Sequence, residues 1–199
     1  MKIYTFLLRA RCAISDLLIQ AIPTLSQTIR VTASGGQLPQ RSALLKAPLN
    51  HRLDYARRIY PLYDVILPLT ASLVGREYPE EAIIDVGANI GDTTALFRLH
   101  GCNNRIHAFE PVVKFADYVR KNISANTSVY QNVILHQALV GSKKEAPKAL
   151  VQYASTASVK LAGNDSPASS PDLQVAELSD CDESAYCFVK IDTDGYDFT

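Results

Sequence analysis

The chain has 199 residues, enough for one domain with a hydrophobic core, and its 20 Lys and Arg balance 20 Asp and Glu to a formal net charge of zero. Hydrophobic residues make up 47% and charged residues 20% of the chain, as in globular proteins, and no apolar run is long enough to predict a membrane span. Basic residues predominate in residues 1–60 and acidic residues in 160–199, but the basic residues are scattered, so we expect no nucleic-acid partner.

The amino terminus resembles a signal peptide only superficially. Arg9 and Arg11 interrupt the apolar run that follows Lys2, and no small-residue cleavage site comes after it. The chain has four cysteines, Cys12, Cys102, Cys181 and Cys187. They form no CxxC pair, so their spacing predicts no metal site, and we expect reduced thiols in a cytoplasmic protein.

The first third of the chain indicates helices and connections. An apolar stretch with spaced arginines predicts one helix that ends by Pro23, and residues 34–39 predict a flexible connection. Residues 52–75 predict a helical lead-in that Pro61 and Pro68 interrupt.

From residue 80 onward, strand and helix patterns alternate. Strands are predicted at 82–86, 105–109 and 133–139, with one helix at 92–100 and another that has Pro111 in its first turn. The second helix has five apolar residues on one face, Val112, Phe115, Ala116, Val119 and Ile123. This alternation predicts right-handed βαβ crossovers and a parallel sheet.

The last part of the chain reads differently. Short strands are predicted at 149–153 and 175–178, a polar loop at 163–172, and a last buried strand at 187–192.

The strongest motif is the run IIDVGANIGDTT at 83–94, in which a strand enters a glycine-containing turn and then a helix. A dinucleotide site would require G-x-G-x-x-G for its pyrophosphate, whereas here Gly87, Asn89 and Gly91 stand at alternate positions. Asp85 at the end of the strand would repel a pyrophosphate. It is compatible with S-adenosylmethionine (SAM), which carries an ammonium and a sulfonium, so SAM is favoured over a dinucleotide.

A second motif, AFEP, ends the next predicted strand at Glu110, 25 positions after Asp85. In a doubly wound sheet, this spacing favours a carboxylate near the ribose of a ligand held at the first turn. Glu110 could otherwise complement the dipole of the following helix.

The third motif, VKIDTDGYD at 189–197, delivers carboxylates to the carboxyl edge of the predicted sheet. Asp192 could there orient a substrate or accept a proton. The acidic cluster could also hold a hard cation, but its phasing does not match an EF-hand loop.

In this order and spacing, the three motifs resemble the FkbM-type methyltransferase family, and Tyr63-Asp64 and Leu67-Pro68 are similar as well. The resemblance covers about residues 60–199. It implies a Rossmann-like class I methyltransferase fold with strand order 3-2-1-4, a SAM cofactor, and a hydroxyl acceptor on a sugar, lipid or natural product. It also implies site residues: Asp85, Gly87, Asn89 and Gly91 at the methionine part of SAM, Glu110 at the ribose, Gln137 and Ala138 at the adenine, and Asp192 at the transferred methyl.

The chain departs from this family in two ways. Asp194 and Asp197 replace two glutamates of the family's usual D-x-E-G-x-E motif. The family fold also continues beyond this motif, so we expect a helical segment at 1–60 followed by a partial, carboxyl-terminally truncated SAM-binding domain at 61–199. A dinucleotide-dependent oxidoreductase and an inactive methyltransferase remnant are the alternatives.

Overall fold

A computed structural model describes residues 2–33, 41–60, 65–145, 149–153, 156–160 and 173–193 of the chain. Some sequence predictions lie outside these residues, namely the connection at 34–39, the prolyl break at Pro61, the pair Tyr63-Asp64, the loop at 163–172, and the carboxylates Asp194 and Asp197.

The described chain begins with helix α1 (Lys2–Ala21), which confirms the predicted helix before Pro23. An antiparallel hairpin of β1 (Ser26–Thr32) and β2 (Ser42–Pro48) follows. The sequence had predicted no strands here. Ala43, Leu45 and Ala47 of β2 are buried on one face, but two of them are small and the exposed Leu44 is apolar, so the alternation of apolar and polar residues is hidden.

The predicted helical lead-in consists of α2 (Leu53–Ile59) and α3 (Ile66–Glu77). The sequence predicts that Pro68 interrupts this lead-in. This prediction is wrong, because Pro68 is the third residue of α3. Backbone N–H groups in the first turn of a helix have no intrahelical partner, so a proline there removes no hydrogen bond.

The predicted alternation follows as β3 (Ala82–Val86), α4 (Asp92–Leu99), β4 (Ile106–Phe109), α5 (Val113–Ala125) and β5 (Val133–His136). The later strands are β6 (Leu139–Val140), β7 (Ala149–Tyr153), β8 (Thr156–Lys160), β9 (Val175–Ala176) and β10 (Tyr186–Ile191). Several boundaries differ from prediction by one or two residues, and two of the differences lie next to site residues. Pro111 precedes α5 instead of lying in its first turn, and the predicted strand 133–139 ends at His136, because Leu139 pairs with β9 instead.

The central sheet is parallel throughout, with strand order β5-β4-β3-β10. This confirms the predicted order 3-2-1-4 and the Rossmann-like α/β fold. Strand β3 is buried along its whole length because it has strand neighbours on both sides. The carboxyl ends of β3, β4, β5 and β10 therefore meet at one edge, where open α/β sheets bind ligands.

Hydrophobic side chains cover both faces of β3 and β4. On one face, Ile83 and Ile106 pack with Phe97 of α4. On the other face, Ile84 and Phe109 pack with Cys181, which precedes β10. The amino-terminal hairpin shares a further cluster with α4 and α5. Among the described helices, none combines the length and apolar character needed to cross a bilayer.

Candidate functional site

The turn between β3 and α4 is the centre of the candidate site. The φ angles of Gly87, Asn89 and Gly91 are 76°, 51° and 83°, a left-handed conformation that glycine adopts at no steric cost. The backbone N–H groups of Gly87 and Ala88 both donate to the carbonyl oxygen of Phe109, at 3.0 and 2.9 Å. The turn is therefore fixed to the carboxyl end of β4.

Gly87 is required by the protein backbone itself. A Cβ atom at this position would collide with the carbonyl oxygen of Asp192, just beyond β10. The resemblance places Gly87 at the methionine part of SAM, where a ligand would be a second reason for a small residue. The close approach of the β3–α4 turn to the end of β10 therefore requires glycine at position 87, even without a ligand.

Asp85 lies beneath the turn and is fully buried. Its Oδ2 accepts a hydrogen bond from Thr94 Oγ1 at 2.6 Å, and its Oδ1 is 2.9 Å from Lys190 Nζ. Both carboxylate oxygens thus contact protein groups. Asp85 supports the turn from below, and its predicted contact with the methionine part of SAM stays a prediction.

Lys190 holds the turn from the side of β10. Besides its ion pair with Asp85, its ammonium donates to the carbonyl oxygens of Val86 at 3.1 Å and Gly87 at 2.9 Å. Burial acts to lower the pKa of Lys190, but attraction by Asp85 and Asp192 outweighs this and the pKa is raised. Lys190 therefore stays protonated at neutral pH.

Lys190 had no role in the sequence analysis, although its motif had been recognised. The parallel register places Lys190 opposite Asp85, one strand away. A lone lysine in an apolar strand, opposite a lone aspartate in its neighbour, was the signal that would have revealed the pair.

Glu110 joins the β3–α4 turn to the segment between β4 and α5. Its two oxygens accept hydrogen bonds from the backbone N–H groups of Asn89 and Val112, each at 2.8 Å. The residue is only 4% exposed. Burial raises the pKa of Glu110 to about 7 against these favourable hydrogen bonds. The predicted position beside the glycine turn is thus observed, and its contact with a ribose remains a prediction.

Asp192 differs from the other carboxylates because its side chain is 68% exposed. Its backbone N–H donates to the carbonyl oxygen of Val86 at 3.1 Å, and its Oδ2 lies 4.0 Å from Lys190 Nζ. Asp192 therefore presents a solvent-accessible carboxylate directly at the edge of the turn.

Gln137 and Ala138 follow β5, next to Glu110, whose N–H donates to the carbonyl oxygen of His136 at 3.0 Å. The side-chain oxygen of Gln137 accepts from Arg120 at 2.7 Å, and Ala138 is buried. The predicted site residues thus lie at, or just beyond, the carboxyl ends of four neighbouring strands.

His51 contacts the site from the amino-terminal segment, and no sequence motif predicted this contact. The Leu53 N–H donates to its Nδ1 at 3.3 Å, so the proton of a neutral ring is on Nε2, which donates to Asn89 Oδ1 at 3.1 Å. Burial lowers the pKa of His51 and raises that of the nearby Asp92. His51 therefore binds the turn as a neutral imidazole.

Comparisons with known proteins give little beyond this geometry. No protein-family model and no curated protein matches the chain. A solved structure of a proposed O-methyltransferase from Klebsiella pneumoniae aligns at 19% identity with a TM-score of 0.32, covering 65% of this chain and 51% of that one. The chain thus spans about half the length of that protein. A likeness at this level does not identify a family.

Proposed function

We propose that this protein is a SAM-dependent methyltransferase that acts on a hydroxyl group. The observation that carries the proposal is the acidic character of the glycine turn at the carboxyl edge. Four carboxyl groups surround this turn, those of Asp85, Asp92, Glu110 and Asp192. The ammonium of Lys190 is the buried cation paired with this group, at 2.9 Å from Asp85 and 4.0 Å from Asp192.

This charge distribution favours a cationic ligand over an anionic one. Burial is the main cause that raises the pKa values of Asp92 and Glu110, and the charge of Asp85 raises that of Glu110 further. A pyrophosphate would add negative charge to this edge, whereas an ammonium and a sulfonium would offset charge already there. The charged groups around the turn therefore fit SAM better than a dinucleotide.

Glu110 would hold the ribose of SAM, next to the glycine turn that would line its methionine part. An ionised carboxylate only accepts hydrogen bonds, and a ribose diol offers two donors. Each Glu110 oxygen already accepts one backbone N–H, and a carboxylate has about four acceptor positions in all. Glu110 therefore keeps acceptor capacity for a diol while it fixes the turn.

When bound, SAM supplies an electrophilic methyl group on a sulfonium. The chain must then position the acceptor and take up its proton. Asp192 is the candidate base, because its carboxylate is exposed to solvent at the edge of the turn. Asp192 would otherwise orient SAM. The resemblance of the motifs to FkbM-type methyltransferases supports a hydroxyl acceptor on a sugar, lipid or natural product.

The test is calorimetric titration of the full chain with SAM, S-adenosylhomocysteine and NADH. We expect saturable binding of SAM and of S-adenosylhomocysteine, and no binding of NADH. Glu110→Gln should weaken SAM by about 10–150-fold, as expected for loss of a hydrogen bond to a charged group. Binding of NADH alone would establish the oxidoreductase alternative, and binding of neither would support an inactive remnant.

A further inference from the structure

A second group of chemically active side chains lies on the face of the sheet that carries Ile84 and Phe109. His107 of β4 is buried there, and its Nδ1 is 2.8 Å from Nε2 of His136, the last residue of β5. Cys181 completes the group from the segment before β10. The three donor atoms all lie within 4.8 Å of one another.

The hydrogen bonds fix the protons of this group. Glu183 Oε1 lies 2.8 Å from His107 Nε2, and an ionised carboxylate can only accept, so Nε2 of His107 carries the proton. Nδ1 of a neutral His107 ring is then an acceptor, and His136 Nε2–H donates to it. A lone pair of His107 thus points at the same small space as His136 and the thiol.

Glu183 occupies the position of an outer-shell partner. Imidazoles that bind metals usually donate their second N–H to a carboxylate or carbonyl, which fixes the ring and raises its basicity. Glu183 does this for His107, and Arg105 holds the same carboxylate oxygen at 2.8 Å. No catalytic role in the proposed methyl transfer requires such an arrangement.

The segment that carries Cys181 and Glu183 is held in place. The side chains of Glu177 and Asp180 form a reciprocal capping box around a short 3-10 turn. Further along, the Cys181 N–H donates to the Leu178 carbonyl at 3.1 Å and the Glu183 N–H to the Cys181 carbonyl at 2.8 Å. The thiol and the outer carboxylate are thus presented by one hydrogen-bonded turn.

We propose that His107, His136 and Cys181 form a binding site for a divalent metal ion of the zinc class, with Glu183 as the outer-shell support. Two imidazole nitrogens and one thiolate are a ligand set that zinc uses, with a fourth position left for water. The spacing of the cysteines from one another had suggested no such site, because the donors come from three distant parts of the sequence.

The distances fit this assignment after a small adjustment. In a tetrahedral zinc site, bond lengths of about 2.0–2.3 Å place two nitrogens about 3.3 Å apart and a nitrogen and sulfur about 3.6 Å apart. The observed 2.8 Å between the imidazoles would widen, and the thiol lies within 4.8 Å. His136 is only partly buried, which gives the metal a route from solvent.

Binding requires a defined set of proton shifts. The Cys181 thiol loses its proton to solvent when it binds the metal as a thiolate, so metal binding should weaken as pH falls. His136 moves its proton from Nε2 to Nδ1 and presents the Nε2 lone pair. His107 keeps its proton on Nε2, where Glu183 accepts it.

The experiment is titration of the chelator-treated full chain with Co²⁺ alone, followed by displacement with Zn²⁺. We expect one Co²⁺ per chain, with the intense visible bands of a four-coordinate ion and a thiolate-to-cobalt charge-transfer band. Zn²⁺ should remove both. Absence of saturable Co²⁺ and Zn²⁺ binding would overturn the proposal.

Variants identify the ligands. Cys181→Ser should abolish the charge-transfer band, and His136→Asn should weaken Co²⁺ at least tenfold, whereas Glu183→Gln should weaken it by about 10–100-fold with the band retained. Cys12→Ser and Cys187→Ser are the matched controls and should bind as the parent does. If a control loses the band while Cys181→Ser keeps it, the proposed site is wrong. Circular dichroism of each variant checks that it folds. If Cys181→Ser does not fold, the Co²⁺ affinity of His136→Asn tests the site instead.

Discussion

Lys190 and Asp85 face each other across the boundary between β10 and β3, with 2.9 Å between the ammonium nitrogen and a carboxylate oxygen and with both side chains buried. The same ammonium binds the carbonyl oxygens of Val86 and Gly87. The Lys190 ammonium therefore joins β10 to the buried Asp85 and to the glycine turn.

Removal of Lys190 should leave the Asp85 charge buried without its partner. Breaking a buried ion pair from one side costs about 3–5 kcal/mol, so Lys190→Met should lower the free energy of unfolding by about that much in urea denaturation. Because the uncompensated carboxylate causes the loss, Lys190→Met combined with Asp85→Asn should recover part of it. Lys143→Met is the matched control, since the ion pair of Lys143 with Asp180 is exposed and its loss should change stability very little. Equal losses in the two lysine variants would contradict a structural role for Lys190.

Gly87→Ala should destabilise the fold as well as the cofactor site. The substitution meets two penalties, a φ of 76° and a collision with the Asp192 carbonyl oxygen. Gly101 is a matched control, because its φ is 91° but a Cβ there would have no atom within 4 Å. Gly101→Ala should therefore cost only the conformational strain of about 1–2 kcal/mol, and Gly87→Ala clearly more. Thermal and urea unfolding compare the two. A Gly87→Ala protein as stable as Gly101→Ala would show that the strand end moves away without cost.

Glu110 should make the stability depend on pH in a defined direction. Its pKa is about 7 in the folded chain and 4.5 ordinarily, so the folded state binds more protons between these values. Stability is then fully present below about pH 4.5 and decreases as pH rises toward 7, by about 3 kcal/mol in total at 1.36 kcal/mol per pKa unit. Urea unfolding from pH 5 to 8 should show this decrease in the parent chain and a smaller one in Glu110→Gln. Identical pH profiles of the two proteins would exclude a raised pKa at Glu110.

The order of the strands and the position of the glycine turn were predictable because they depend on local patterns. Apolar runs that end in glycine, at spacings that require crossover helices, leave few arrangements for β3, β4, β5 and β10. The motif residues then meet at the carboxyl edge of the sheet for geometrical reasons alone.

The contacts within the site were not predictable in the same way, because they depend on the register of distant segments. His51 contacts Asn89 across 38 positions, and Cys181 reaches His107 from a segment that lies beyond β9. The β1–β2 hairpin was missed for a local reason, since the exposed Leu44 and the small alanines of β2 obscure its period-two pattern.

Asp192→Asn tests the proposed chemistry most directly. The substitution keeps the shape of the side chain and removes its ability to accept a proton, and a positioned base contributes about 10²–10⁴-fold to rate. With an acceptor found by screening hydroxyl compounds for methyl transfer from SAM, we expect turnover to fall at least tenfold while SAM affinity is retained. Asp182→Asn is the control, since this exposed aspartate lies before β10, at the other end of that strand. Full activity in Asp192→Asn would remove Asp192 from the mechanism.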